Sequence, residues 1–280
     1  MFRNRAHSQG NSNDNTEEHT MPMINADGCP IHVEVEGPEG APVLMLGNSL
    51  GTTIDMWADQ VAAFVKAFRL VRYDRRGHGA SGAPKGQYTF DRLGRDVLAV
   101  LDGLGIKKVN WCGLSMGGMD GQWLGANAPE RVERMVLSNT SSFFPDKNGW
   151  NDRLKTVAEK GVAAFAPTNM ARWFTKGFLE REPKKVARIE SMFAATPLDG
   201  YLGCGAAVRD MDMRNLLPKI KAPTLVIAGK HDPATPPEAN RYIADHIAGA
   251  KYTELEAAHL SNVEQSAAYT KAVLDFLLAK

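Results

Sequence analysis

Cysteine is scarce in this chain of 280 residues: Cys29, Cys112 and Cys204 are three, an odd number without metal-ligand spacing. That excludes a disulfide framework and a zinc site, and it fits reduced thiols in a cytoplasmic protein. Excess charge is absent as well. With 33 basic and 32 acidic side chains the formal net charge is +1, which offers no basis for nucleic acid or membrane partners. No apolar run approaches the length of a membrane span. The first twenty residues are rich in Asn, Ser, Glu and Arg; they lack the apolar centre of a secretion signal, and their acidic residues argue against a transit peptide. They are read as a disordered extension, with Met21 or Met23 a natural start to the fold. The remainder is ordinary globular sequence: at 44% hydrophobic, a chain of this length can bury a sizeable core.

The most informative stretch is Val109-Asn110-Trp111-Cys112-Gly113-Leu114-Ser115-Met116-Gly117-Gly118, a short apolar run leading into Gly-x-Ser-x-Gly with a helical segment behind it. This is the signature of a nucleophile elbow, in which Ser115 on a tight strand-to-helix turn lifts its hydroxyl above the end of a sheet. Gly113 and Gly117 leave room for the strained backbone. The pattern alone is weak, because glycine and serine populate ordinary turns; the flanking strand and helix supply the context it needs. Cys112, on the strand leading to Ser115, is read as a small buried residue rather than a nucleophile.

A serine nucleophile requires a base and a group to orient that base, and on this scaffold they follow in the order Ser, Asp or Glu, His. Residues 223–229 read as a buried parallel strand that ends at Lys230-His231-Asp232-Pro233, so Asp232 is the acid. Residues 252–256 alternate like another strand and give way to Ala257-Ala258-His259, so His259 is the base. His231 is its rival, but neighbours on a turn usually point different ways, and choosing it would leave His259 without a role. His7 and His19 lie in the polar extension, His32 in the first strand and His246 in a surface helix. His78 belongs to a loop, 74–81, whose glycines and charges suit a tight turn near the site. The oxyanion formed on attack at a carbonyl needs backbone donors. Met116 supplies one N–H, and the loop Gly47-Asn48-Ser49-Leu50-Gly51-Thr52-Thr53 supplies the other from Ser49, with Leu50 as the near alternative.

Along residues 21–280 apolar strand-like runs alternate with amphipathic helical segments, the pattern of a parallel sheet with helices on both faces. Strands are expected near 32–35, 43–46, 69–74, 109–114, 134–138, 224–229 and 252–256. From about 141 to 215 the pattern is helical, broken at Pro145, Pro167, Pro183 and Pro197. The expected organisation is a core domain from 21–140 and 216–280, with a helical cap, 141–215, inserted between its halves.

On Gly47-Asn48-Ser49-Leu50-Gly51-Thr52, Tyr73-Asp74-Arg75-Arg76-Gly77-His78-Gly79, Gly113-Leu114-Ser115-Met116-Gly117-Gly118-Met119, Asp232 and His259, the chain resembles the α/β-hydrolase family. Within it the chain is similar to the 3-oxoadipate enol-lactonases of bacterial aromatic-compound degradation. Closest to those are Gly47-Asn48-Ser49-Leu50-Gly51, in place of the usual HG-type loop, and the cap stretches Arg172-Trp173-Phe174-Thr175 and 206–212. Asp120 departs from the apolar residue expected there; it either sits in the first turns of a helix, where a carboxylate suits the dipole, or alters the packing around it.

The resemblance implies an α/β-hydrolase fold with a mostly parallel central sheet and an inserted helical cap. It also implies a cofactor-independent, metal-independent serine hydrolase that opens a small acidic lactone to give 3-oxoadipate. Burying the carboxylate of such a substrate requires a cation, preferably a guanidinium. Arg153 and Arg172 are the first candidates in the cap, which also carries Arg209, and Trp150 or Trp173 would pack beside the chosen arginine. Two alternatives stay open at this point. One is another carboxylesterase, C–C hydrolase or cofactor-free perhydrolase with the same triad, which a panel of lactones, aryl esters and peroxide separates. The other is a catalytically slow hydrolase-fold binding protein, which a turnover measurement separates.

Overall fold

Strand-forming runs that are apolar on consecutive residues have to be covered on both faces, and the sheet shows how. A computed structural model describes residues 23–279. The disordered extension expected over residues 1–20, with His7 and His19, lies outside the described residues. Among those described, one sheet contains β1 (Met23–Ala26), β2 (Cys29–Glu36), β3 (Val43–Gly47), β4 (Arg69–Tyr73), β5 (Val109–Leu114), β6 (Val132–Ser138), β7 (Thr224–Gly229) and β8 (Lys251–Leu255). Their order across the sheet is β1-β2-β4-β3-β5-β6-β7-β8. β1, β2 and β4 pair antiparallel, and β4, β3 and β5 to β8 run parallel.

The strand alternation divides the core in two. Leu44, Leu46, Cys112, Leu114, Leu225 and Ile227 face one side, while Met45, Trp111 and Val226 face the other. The first face is covered by α1 (Ala58–Phe64) and α10 (Ser266–Leu277), through Phe64, Tyr269 and Val273. Across the second lie α2 (Phe90–Gly103) and α9 (Pro237–His246), through Val97, Val100, Leu101 and Ile243. α3 (Met116–Asn127) packs along β5 and β6.

Between β6 and β7 come α4 (Lys147–Lys160), α5 (Ala166–Trp173), α6 (Lys176–Arg181), α7 (Pro183–Ala194) and α8 (Leu198–Asp210). The prolines that break the helical pattern act as starts. Pro167 and Pro183 occupy first-turn positions of α5 and α7, and Pro197 caps α8, where a missing N–H costs nothing. A single bridge, Phe143 to Asp212, closes the base of the insertion.

Two strand expectations need correction. β1 is absent from the expected set, and β2 extends beyond 32–35 in both directions. The cause is one turn: Asp27 and Gly28 both adopt positive φ, 51° and 78°, the geometry of a two-residue hairpin that folds Met23–Ala26 back on Cys29 and its neighbours.

The topology matters for function because parallel strands end at one edge. The loops after β3, β5, β6, β7 and β8 all open there, side by side in sheet order, which is where open α/β sheets place their sites.

Candidate active site

Ser115 stands between β5 and α3 with φ 57° and ψ −116°, a backbone state that side-chain-bearing residues rarely adopt. Close packing makes the turn possible. A Cβ on Gly113 would lie 2.1 Å from the Gly117 carbonyl oxygen, and one on Gly117 would lie 2.1 Å from that of Gly47, so β3, β5 and α3 meet only because all three positions are bare. The strain is held by bonds on both sides of the residue: the Ser115 N–H donates to Ser138 O at 2.8 Å, and its carbonyl accepts from Thr140 Oγ1 at 2.7 Å.

Past the end of β8, His259 Nδ1 lies 2.8 Å from Asp232 Oδ2, with both side chains almost wholly buried. Asp232 is saturated with donors. Its Oδ1 accepts from the N–H groups of Ala234 (2.8 Å) and Thr235 (3.0 Å), and its Oδ2 from Thr235 Oγ1 (2.7 Å) and Asn139 Nδ2 (3.1 Å). Burial works to raise the carboxyl's pKa, but the adjacent His259 and the hydrogen bonds outweigh it and hold Asp232 below the ordinary carboxylate range. With Nδ1 engaged, Nε2 is the imidazole nitrogen left to exchange a proton.

Ser115 and His259 line one cavity of about 470 Å³, together with Ser49, Leu50, Met116, Trp150, Arg153, Arg172 and Trp173. Every site residue expected from the sequence therefore borders this space except Asp232, which lies behind His259. The rival His231 lies elsewhere: it is exposed and paired with Glu256 at 3.1 Å. His78 is fully buried and accepts from Gly51 N–H through Nε2 at 2.8 Å. Burial, reinforced by the nearby Arg75 charge, pushes its pKa down to about 3. Burial likewise drives the Cys112 thiol up to about 12, which removes it as a nucleophile. Arg209 pairs with Asp210 and borders a different surface hollow.

Overhead, Arg153 lies against three rings, with its guanidinium carbon 4.8 Å from the centre of Trp150, 4.9 Å from Phe165 and 5.6 Å from Tyr201. Its Nε donates to the Tyr201 hydroxyl at 2.8 Å. Arg172 is exposed at the rim and, among the described residues, hydrogen-bonds only to the Pro233 carbonyl, at 3.4 Å. Partial burial and the charge of Arg153 lower its pKa from the ordinary arginine value. Among the described residues neither arginine is paired with a carboxylate.

The arrangement suits nucleophilic attack by a hydroxyl on a carbonyl, with proton transfer to a buried, oriented imidazole. Comparison with known proteins agrees. Residues 42–266 match the family model for the alpha/beta hydrolase fold. The chain belongs to the α/β-hydrolase family. This hydrolase is 39% identical over 255 residues to 3-oxoadipate enol-lactonase 2 of Acinetobacter baylyi, an alignment that covers 91% of the chain and 96% of that protein. Among solved structures it is similar to the enol-lactonase from Burkholderia xenovorans, with a TM-score of 0.90, 44% identity and coverage of 92% and 100%. A hydrolase from Pseudomonas aeruginosa aligns with a TM-score of 0.91, 43% identity and coverage of 94% and 100%.

Three residues of the hydrolase site were not expected from the sequence. Asn139, at φ 43°, joins Asp232 Oδ2 to the Ala258 carbonyl, each at 3.1 Å from its amide nitrogen. Thr235 caps the same carboxylate. Glu264 accepts from Ala258 N–H at 2.9 Å and from both the hydroxyl and the N–H of Thr175, while Leu260 N–H donates to Trp173 O at 3.1 Å. The loop that carries His259 is thereby laced to the inserted helices. Asp120 lies in the second turn of α3, past the residues that feel the dipole most, and pairs with Arg75 at 2.9 Å.

Proposed function

We propose that this hydrolase opens the ring of 3-oxoadipate enol-lactone to give 3-oxoadipate, in the degradation of aromatic compounds. Ser115, His259 and Asp232 act as the catalytic triad, and the N–H groups of Met116 and Ser49 bind the oxyanion. The observation that carries the substrate reading is the pair of arginines on the cavity wall. Two neighbouring cations without carboxylate partners repel each other, and a substrate carboxylate placed near them relieves that repulsion while regaining the hydrogen bonds it left in water. Arg153 and Arg172 read the carboxylate, and Trp150 and Trp173 pack the apolar part of the ring. Residues 141–215 form the cap domain that makes this choice.

In the reaction, the Ser115 Oγ proton passes to His259 Nε2 as Oγ bonds to the lactone carbonyl carbon. The Asp232 carboxylate stabilises the imidazolium, and the carbonyl oxygen takes the negative charge against the two N–H groups. Collapse breaks the ring C–O bond and expels an enolate, a better leaving group than an alkoxide, which takes the proton from His259 Nε2, returning the imidazole to its neutral form, and the enol tautomerises to a ketone. His259 then takes a proton from water, and the resulting hydroxide attacks the acyl-serine. Cleavage of the ester bond returns the proton to Ser115 and frees the carboxylate. The site requires no cofactor for these steps. Three buried free thiols suit a reducing compartment, and we place the protein in the cytoplasm. Among the described residues, no helix is long and apolar enough to cross a membrane.

The deciding experiment compares the enol-lactone with a neutral lactone of similar size. Wild type turns over the acidic substrate preferentially, and Arg153→Met loses roughly ten- to a hundred-fold in kcat/KM on it while sparing the neutral one. Equal losses on both substrates, or a wild-type preference for the neutral lactone, sink the carboxylate reading.

A further inference from the structure

Arg153 is held by two kinds of contact that fix different things. The three ring faces set the height of its guanidinium but not its rotation, because a ring attracts a cation much the same whichever N–H points where. Rotation is set by Tyr201. Its hydroxyl oxygen accepts from Nε at 2.8 Å and from Nη2 as well, so one edge of the guanidinium closes on the phenol. Asn169 Oδ1 makes a longer contact with Nη2, at 3.4 Å. Nη1 remains, and among the described residues it has no hydrogen-bond partner. A buried phenol needs one partner and water can serve an arginine beside a cavity, so a two-bond edge is more than the burial of either group requires.

Tyr201 is itself fixed from behind. It is fully buried on α8, with its ring edge-on to Phe193 and the ring centres 5.5 Å apart. A Cβ on the preceding Gly200 would lie 2.0 Å from the Gly77 carbonyl oxygen, and one on Gly205 would lie 2.5 Å from the side chain of Leu154, the neighbour of Arg153 in α4. The helix that carries the phenol therefore meets a core loop and the arginine's own helix at bare positions, and its hydroxyl cannot follow the guanidinium if that group turns.

We propose that Tyr201 is a positioning residue: by closing the Nε–Nη2 edge of Arg153 it leaves Nη1 as the donor to the substrate's carboxylate, and so sets the preference for acidic lactones. Tyr201 does not line the cavity and acts through the arginine. The inference rests on Arg153 reading the carboxylate, as proposed above.

The test follows the enol-lactone and p-nitrophenyl acetate, an ester without a carboxylate, in Tyr201→Phe, Arg153→Met and the two combined. Tyr201→Phe keeps the ring and removes only the hydroxyl. It should raise KM for the enol-lactone roughly ten-fold with kcat within about two-fold of wild type, and weaken 3-oxoadipate as a competitive inhibitor of p-nitrophenyl acetate hydrolysis by a similar factor. Both constants for p-nitrophenyl acetate should stay within about two-fold. Added to Arg153→Met, the same substitution should change KM for the enol-lactone by less than about two-fold, since no guanidinium is left to orient. If Tyr201→Phe does not fold, Tyr201→Met takes its place with the same expected changes. An unchanged KM for the enol-lactone in the folded Tyr201 variant, beside a selective loss in Arg153→Met, would overturn this proposal and leave the carboxylate reading standing. Equal losses on both substrates, or losses that add in the double variant, would overturn it as well. A wild-type KM for the enol-lactone in Arg153→Met would sink the carboxylate reading, and this inference with it.

Discussion

The floor and the roof of the cavity hold their polar groups in different ways. Below, Ser115, Asp232 and His259 stand at strand ends: both main-chain groups of Ser115 are bonded, and Asp232 receives four donors besides His259. Above, Arg153 is steadied mainly by ring faces and one phenol, and Arg172 by a single long hydrogen bond. The proposed roles fit this contrast: attack on a carbonyl tolerates little misplacement, and recognition of a carboxylate tolerates more. Substitutions in the floor should therefore depress every substrate alike, whereas those in the roof should redistribute activity among substrates.

The largest expected effect is at Ser115. Ser115→Ala should cost roughly 10⁴-fold or more in kcat on acidic and neutral lactones equally, and adding His259→Ala should cost little more, because the two act as one unit. A residual rate that differs between the two lactones would blur the division. Asp232→Asn comes next, with a loss of roughly 10³- to 10⁴-fold through the wrong imidazole tautomer; a milder loss in steady-state kinetics would mean that Asn139 and Thr235 orient the ring without the carboxylate's charge.

Asn139 sharpens the floor's definition. Asn139→Gly keeps the left-handed backbone and removes the amide, and it should lower kcat/KM by about ten-fold, one hydrogen bond to a charged group, with the same factor on both lactones. At the roof's exposed edge, Arg172→Met should weaken the acidic lactone by only about two- to five-fold, as expected for a solvent-screened charge. A loss as large as that of Arg153→Met would show the rim to be as tightly built as the floor.

The smallest effect is on stability. His78 is held near 3, so below its unfolded value of about 6.5 the unfolded chain takes up a proton that the folded chain refuses, and stability falls as pH drops between those values by up to roughly 1.4 kcal/mol per pH unit. His78→Gln should flatten that acid limb in denaturant titrations at pH 4 and 6. An unchanged slope would assign the acid limb to other groups.

What was legible in the sequence divides along the same line. Ser115 could be read because its signal is local, a strand, a turn and a helix within ten residues. Asp232 and His259 followed from their positions at strand ends. Asn139 and Glu264 could not, since their partners Asp232 and Thr175 are 93 and 89 residues away and nothing in a loop's composition marks such a bond. Asp120 stood out as an anomaly, but its meaning lay with Arg75, on the loop after another strand. β1 was the reverse case. Asp27-Gly28 is a strong hairpin signal, yet alternation in the four residues before it was too short to register as a strand.

The lacing of Trp173 and Thr175 to residues 258–264 has a consequence for how such enzymes diversify. Five helices inserted between two strands look like an interchangeable module, open to replacement whenever a lineage meets a new compound. Here the seat of His259 is shared property, because Glu264 on the core side grips Thr175 on the inserted side and Ala258 next to His259 at once. A chimera that takes its inserted helices from a relative without a matching hydroxyl at position 175 loses that grip, and the loop that carries His259 shifts with it. α7 and α8 are tied to the core as well, through Lys185 and Asp59 at 2.8 Å and through the Gly203 carbonyl, which accepts from Tyr88 N–H at 3.0 Å, so a graft has to keep these contacts and, where it crosses residues 173–175, bring its own counterpart of Glu264.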